Sequence, residues 1–219
     1  MADPTPKRCR LVLVTPAEGA PSAIARAVEA ALGAGDVASI IVPQYGLDSG
    51  AFQELAEALV PLAQARGVAA VIAGDSRVAG RVKADGLHVD GGAGAVAEAI
   101  ERHGAHMMVG TGDLKTRDDA LDVGEAQPDY IFFGRFGYDN KPEPHPRNLG
   151  LGEWWANVIE IPCIVLGGSD TQSVAAVAAT GAEFVALSSA VFGEGRDPAA
   201  EVAQANALLD GEAPRFEDA

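Results

Sequence analysis

Eight short apolar runs punctuate this chain, and each is continuous rather than alternating. They are LVLVT (11–15), ASIIVP (38–43), AAVIAG (69–74), GLHVD (86–90), MMVGT (107–111), YIFFG (130–134), CIVLGG (163–168) and FVALSS (184–189). A strand with no polar face has none to offer water, so it must be buried on both sides, as in a parallel sheet. Helical patterns fill the gaps, at 21–32, 52–66, 95–103, 117–126, 151–159, 171–180 and 199–209, with a weaker one at 76–83. Strand followed by helix, eight times over, predicts an α/β chain closed as a (β/α)8 TIM barrel. A doubly wound open sheet is the alternative, but no G-x-G-x-x-G follows the first run.

A length of 219 residues suits one barrel, and no linker or composition shift marks a second domain. We therefore expect residues 1–219 to form a single domain, with short flexible tails in MADPTPKRCR and GEAPRFEDA. The chain is 48% hydrophobic but only 5% aromatic, so its core must be built from Ala, Val, Leu and Ile. No apolar run reaches the ~20 residues of a membrane span, and the N-terminus lacks a signal-type segment. The expected location is the cytoplasm. A net charge of −15 argues against nucleic-acid binding, which needs a basic face. It leaves room for an anionic small molecule, held by backbone N–H groups and one or two cations. Cys9 and Cys163 make neither a metal motif nor a disulfide framework. Cys163, inside IPCIVL, reads as a buried inert thiol.

In such a barrel the site forms at the C-terminal ends of the strands. Gly167-Gly168 after the seventh run lets backbone N–H groups approach an oxyanion, and Ser188-Ser189 after the eighth can complete the cup. The bland alternative is a tight turn, with Asp170 or Thr171 capping the next helix. Asp75 could hold Mg²⁺ through oxygen or could simply cap the helix that starts at Ser76. Lys141 could neutralise a phosphate or be a solvated lysine. Gln44, Asp90 and Thr111 also stand at run ends. His88, inside its run, reads as a core histidine. Trp154-Trp155 reads as packing or as a contact in a homo-oligomer. The stretch FFGRFGYDNKPEPHPRNLG (132–150) is a long interruption with prolines at 142, 144 and 146, which suit a stiff flap on the catalytic face.

With these residues in order, the chain resembles the thiamine-phosphate synthase and TenI superfamily. The resemblance is carried by LVLVT, ADGLHV at 84–89, PDYIFFG at 128–134 with Lys141 downstream, IPCIVLGGSD and TGAEFVALSSAVF. It implies a (β/α)8 barrel that joins an aminopyrimidine diphosphate to a thiazole phosphate, releasing pyrophosphate with the help of Mg²⁺. By the same resemblance, Gly167, Gly168, Ser188 and Ser189 would hold the thiazole phosphate. Asp75 would bind the metal, Lys141 would face the pyrophosphate, and Gln44 would open a Gln-x-Arg-x-Lys motif. The departures lie on the pyrophosphate side. The Arg and Lys of that motif are Gly46 and Asp48, and the Asn before the metal aspartate is Gly74. The Gly-Gln-x-Asp after the fourth run reads Asp90-Gly91-Gly92-Ala93, and Gly112 replaces a serine after the fifth. Asp90 is then the candidate second metal ligand, and Arg135 or Arg147 the candidate replacement cations. The alternatives are a TenI-type thiazole tautomerase, although Gly112, Asp113 and Leu114 stand where those relatives carry a histidine, and a non-catalytic binder of a phosphorylated ligand.

Overall fold

The computed structural model describes residues 5–216. Its strands are β1 (Arg10–Val14), β2 (Val37–Pro43), β3 (Ala69–Ala73), β4 (Gly86–Asp90), β5 (Met108–Gly112), β6 (Tyr130–Phe133), β7 (Cys163–Leu166) and β8 (Phe184–Leu187). Its helices are α1 (Pro21–Leu32), α2 (Ser49–Gln64), α3 (Ser76–Val82), α4 (Ala93–His103), α5 (Arg117–Gly124), α6 (Pro146–Val158), α7 (Ser173–Ala178), α8 (Ser189–Phe192) and α9 (Pro198–Glu212). The strands close into one parallel barrel in chain order. The seam is the β1–β8 pair, with Leu11 opposite Val185.

The continuity of the apolar runs now has its cause. Successive side chains of a strand point to opposite faces. Val12, Val14, Ile41, Val71, Phe132, Ile164 and Leu166 fill the barrel interior. Their alternates, such as Leu11, Leu13, Ile40 and Ile131, pack outward against the helices. Both parities are buried, so no polar alternation survives. A glycine sets one interior contact: a Cβ on Gly110 would lie 2.0 Å from Cζ of Tyr130, so only a bare backbone admits that ring.

Two helices begin three or more residues earlier than the periodicity suggests. α2 starts at Ser49 because Asp48 accepts the N–H groups of Gly50 and Ala51, each at 2.9 Å. α6 starts at Pro146, a residue preorganised for the first turn, while His145 Nδ1 accepts the Arg147 N–H at 3.1 Å. The interruption at 132–150 is thus partly helix, and only 134–145 is irregular. The short α8 is an addition to the expected pattern.

The terminal segments, expected as tails, are tied to each other where they are described. Arg8 is buried and donates to Asp210 at 2.8 Å and to Asn206 at 3.0 Å, both on α9. Arg8 also forms an antiparallel bridge with Arg215. Residues 1–4 and 217–219 lie outside the described residues. Trp155 is fully buried and donates its indole N–H to the Ile161 carbonyl at 2.7 Å, which accounts for one of the paired tryptophans by packing. Trp154 lies under the Arg117 guanidinium, 4.9 Å from the ring centroid. Among the described residues no helix is long and apolar enough to cross a membrane.

Two outcomes follow from this packing. Gly110→Ala should force Tyr130 out of its rotamer and cost about 1–3 kcal/mol in urea denaturation; unchanged stability would show that the ring has slack. Burial pushes the Cys9 thiol up to about 12 and also raises Cys163. At pH 8 neither should alkylate with iodoacetamide in the native protein, and both should in urea. Rapid native labelling would contradict the burial.

Candidate functional site

The closed parallel barrel brings all eight strand ends, and the loops after them, to one mouth. After β2, Gln44 is held at both ends of its amide. Its Nε2 donates to the Leu47 carbonyl at 3.0 Å, and its Oε1 accepts the Asp75 N–H at 3.2 Å. Gly74, at φ +156°, permits this approach, because a Cβ there would lie 2.8 Å from the Gln44 Cβ.

Asp75 caps α3. Its Oδ1 accepts the Arg77 N–H at 2.9 Å and faces Arg77 Nε at 3.3 Å. The backbone hydrogen bond from Arg77 holds this carboxyl below the usual carboxylate range. Asp90 is turned toward His88, whose Nε2 lies 3.5 Å from Oδ1. That ring, foremost, holds the Asp90 carboxyl below its ordinary value. Among the described residues no three or more His, Cys, Asp or Glu side chains are grouped to hold a metal. Each carboxylate of the expected magnesium pair thus has a protein partner: Asp75 caps α3 and Asp90 faces His88.

His88 is buried and linked on both sides. Its Nδ1 lies 2.9 Å from the Tyr130 hydroxyl. In the tautomer that carries its proton on Nε2, facing Asp90, Nδ1 accepts and Tyr130 donates. Burial raises the Tyr130 pKa, so the phenol keeps that proton. Phe136 and Phe132 border the same ring, with His88–Phe136 centroids 5.0 Å apart. His88, Asp90, Phe132, Phe136 and Gln44 line a cavity of about 370 Å³ at the barrel mouth. His88 is thus a satisfied core histidine whose far nitrogen reaches the mouth.

The glycine turn after β7 is engaged by the protein itself. Gly167 N–H donates to Ala186 O at 2.9 Å, Gly168 N–H to Ser173 Oγ at 2.9 Å, and Ser169 N–H to Lys141 O at 2.7 Å. A Cβ on Gly168 would lie 2.0 Å from the Pro142 carbonyl oxygen, so this glycine seats the β6–α6 loop. After β8, Ser189 N–H donates to the buried carboxylate of Asp139 at 2.6 Å. Ser188 is buried beside it. An anion seeking the Ser189 N–H must first displace Asp139. Thr111 is buried and donates its hydroxyl to the Val89 carbonyl at 2.8 Å, an engagement within the barrel wall. The Lys141 side chain has no hydrogen bond or ion pair among the described residues, and it lines a second cavity of about 560 Å³ under the β6–α6 loop.

Sequence reading missed Asp139, Tyr130 and Phe136. Asp139 meets a backbone N–H 50 positions away, in a loop without periodicity, so no local pattern marks it. The signal for Tyr130 was available in the glycine at 110 on the neighbouring strand, but only once the register was known. Asp139→Ala should leave the Ser189 N–H unpaired, costing about 1–3 kcal/mol in urea denaturation. Amide exchange over 137–143 should also accelerate. Unchanged exchange would show that Asp139 does not hold the loop down.

Comparison with known proteins places this geometry. The family model for thiamine monophosphate synthase, TMP-TENI, matches residues 11–191. A thiamine-phosphate synthase of Rhodospirillum centenum is 34% identical over 93% of this chain and 99% of its own length. One of Hyphomonas neptunium is 34% identical over 95% of this chain and 97% of its own. In fold, the thiamine phosphate pyrophosphorylase of Pyrococcus furiosus superposes with a TM-score of 0.78 at 18% identity, covering 95% of this chain and 98% of that one. With the match spanning the barrel and relatives aligned nearly end to end, this chain belongs to the thiamine monophosphate synthase family.

Proposed function

We propose that this chain is a thiamine-phosphate synthase, a transferase that joins an aminopyrimidine diphosphate to a thiazole phosphate and releases pyrophosphate. The observation that carries this reading is the family match over 11–191, supported by synthases 34% identical across nearly their whole lengths. We take the barrel as one working unit. Its charged substrates do not cross membranes unaided, which suits a cytoplasmic enzyme.

The chemistry asks little of protein nucleophiles or bases. The C–O bond between the pyrimidine methylene and the diphosphate breaks, and its electron pair leaves with the oxygen. The lone pair of the thiazole nitrogen then forms the new C–N bond, and no proton has to move. Catalysis is then electrostatic stabilisation of the departing charge plus alignment of two rings. In this proposal Lys141 meets the departing pyrophosphate as a point charge. Gln44, fixed at both ends, borders the pyrimidine with Phe136 and His88. Thr111, Gly167, Gly168, Ser188 and Ser189 belong to the phosphate side of the thiazole substrate, and Asp139 yields when that phosphate enters. In this proposal Asp75 and Asp90 are the carboxylates that would hold Mg²⁺, and no step here runs through the ion.

The test is pyrophosphate release with both substrates present. Release should require both, and Lys141→Ala should lower kcat/KM about 10- to 100-fold, the range expected when a charge-assisted contact is lost. No release from the wild type, with thermal stabilisation by thiazole phosphate alone, would overturn the synthase reading in favour of a phosphate-ligand binder.

A further inference from the structure

On the β2 side of the mouth this chain offers no cation. The turn after β2 reads Gln44-Tyr45-Gly46-Leu47-Asp48, and Asp48 is committed to capping α2. Cations gather instead across the mouth. The 560 Å³ cavity under the β6–α6 loop is lined by Lys115, Arg135, Lys141 and Arg147, with His145 at the start of α6. This is unusual in a protein of net charge −15. Elsewhere several arginines answer carboxylates, Arg8 with Asp210, Arg10 with Asp36, Arg66 with Glu29 and Arg196 with Glu201, while others such as Arg81 and Arg117 meet Gln53 and the Trp154 ring. Among the described residues the side chains of Lys141 and Arg147 have no hydrogen bond or ion pair. Arg135 lies over the Tyr138 ring, 4.2 Å from its centroid, and forms no ion pair within 4 Å. Lys115 stands 3.8 Å from Asp113.

Three carboxylates share the lining: Asp113, Asp139 and Glu143. Asp139 is taken by the Ser189 N–H and Asp113 by Lys115. That leaves Glu143 against three cations, Lys141, Arg147 and Arg135, the last of which also lies over Tyr138 and feels the Asp90 charge. Two of these are guanidinium groups, whose planar forks match phosphate oxygens in pairs. The cavity also joins the aromatic one. Asp113, Gly134 and Arg135 line both, so Arg135 marks the border between the cationic space and the space bounded by Gln44, His88 and Phe136.

We propose that this cavity is the diphosphate seat: Arg135 and Arg147, with Lys141 and Lys115, hold the diphosphate after β5 and β6, in place of the cations absent after β2. The diphosphate bound there directs its pyrimidine across Arg135 into the aromatic cavity. The proposal rests on the synthase reading for the identity of the substrate. It does not rest on it for the existence of an anion site, so the two can fail separately.

The experiment is isothermal titration of the intact protein with inorganic pyrophosphate, alongside steady-state kinetics in the diphosphate substrate. Arg135→Gln and Arg147→Gln should each weaken pyrophosphate binding 10-fold or more and raise the KM for the diphosphate to match. The KM for thiazole phosphate should stay unchanged. Arg26→Gln, on the outward face of α1, controls for general charge and should alter neither. The residues are exposed, and unchanged melting temperatures would confirm that folding is not the cause. Undiminished pyrophosphate affinity in both variants, or no wild-type binding at millimolar pyrophosphate, overturns the seat. Turnover with an unchanged KM in both variants also overturns it while leaving the synthase reading intact. Pyrophosphate binding lost in the variants, in a wild type that shows no turnover, upholds the seat and overturns the synthase reading.

Discussion

Every feature of this molecule depends on the closure of eight parallel strands upon themselves. Closure leaves no sheet edge, so all ladder groups find partners within the barrel. Parallel direction does the rest. It sends every strand's C-terminal end to the same mouth and every return helix to the outside. Residues as far apart as Gln44, Asp139 and Ser189 can share that mouth only because the barrel closes. The interior beneath it is solid, packed by Val, Ile, Leu and three aromatic side chains, His88, Tyr130 and Phe132. The mouth is therefore a surface built on a rigid plug.

On that surface the β6–α6 loop is the variable part. It is seated by three contacts: the Asp139 carboxylate on Ser189 N–H, the Lys141 carbonyl on Ser169 N–H, and the Pro142 carbonyl against bare Gly168. The same residues that looked like a phosphate cradle in sequence serve here as the loop's seat. The two uses are related, since a backbone N–H aimed at a mouth donates to a carboxylate as readily as to a phosphate. A loop held by an internal carboxylate is a loop that an external anion can compete with.

Much of the architecture was legible in the chain. Continuous apolar runs can only be strands buried on both faces, and the eight-fold alternation with helices left one natural closure. The residues flanking each strand could be named as mouth residues on topology alone. Helix starts were less legible where the cap lay outside the apolar pattern, as with Asp48 and with His145-Pro146. Where the end segments are described they are held down, because Arg8, a charged residue that reads as surface, is buried and bonded to Asp210 and Asn206.

The sequence by itself determined the fold, because burial on both faces of eight strands admits few arrangements. It also determined the family and the absence of cations after β2, which are matters of residue identity. Only the tertiary structure decided how the candidate residues are used. It turned Asp75 to a helix cap, bound Asp90 to His88, placed Asp139 on the Ser189 N–H, and gathered Arg135, Lys141 and Arg147 around one cavity. The reason is physical. A side chain's charge is written in the chain, but its partner is chosen by distance, and distances between residues on different strands exist only once the barrel has closed.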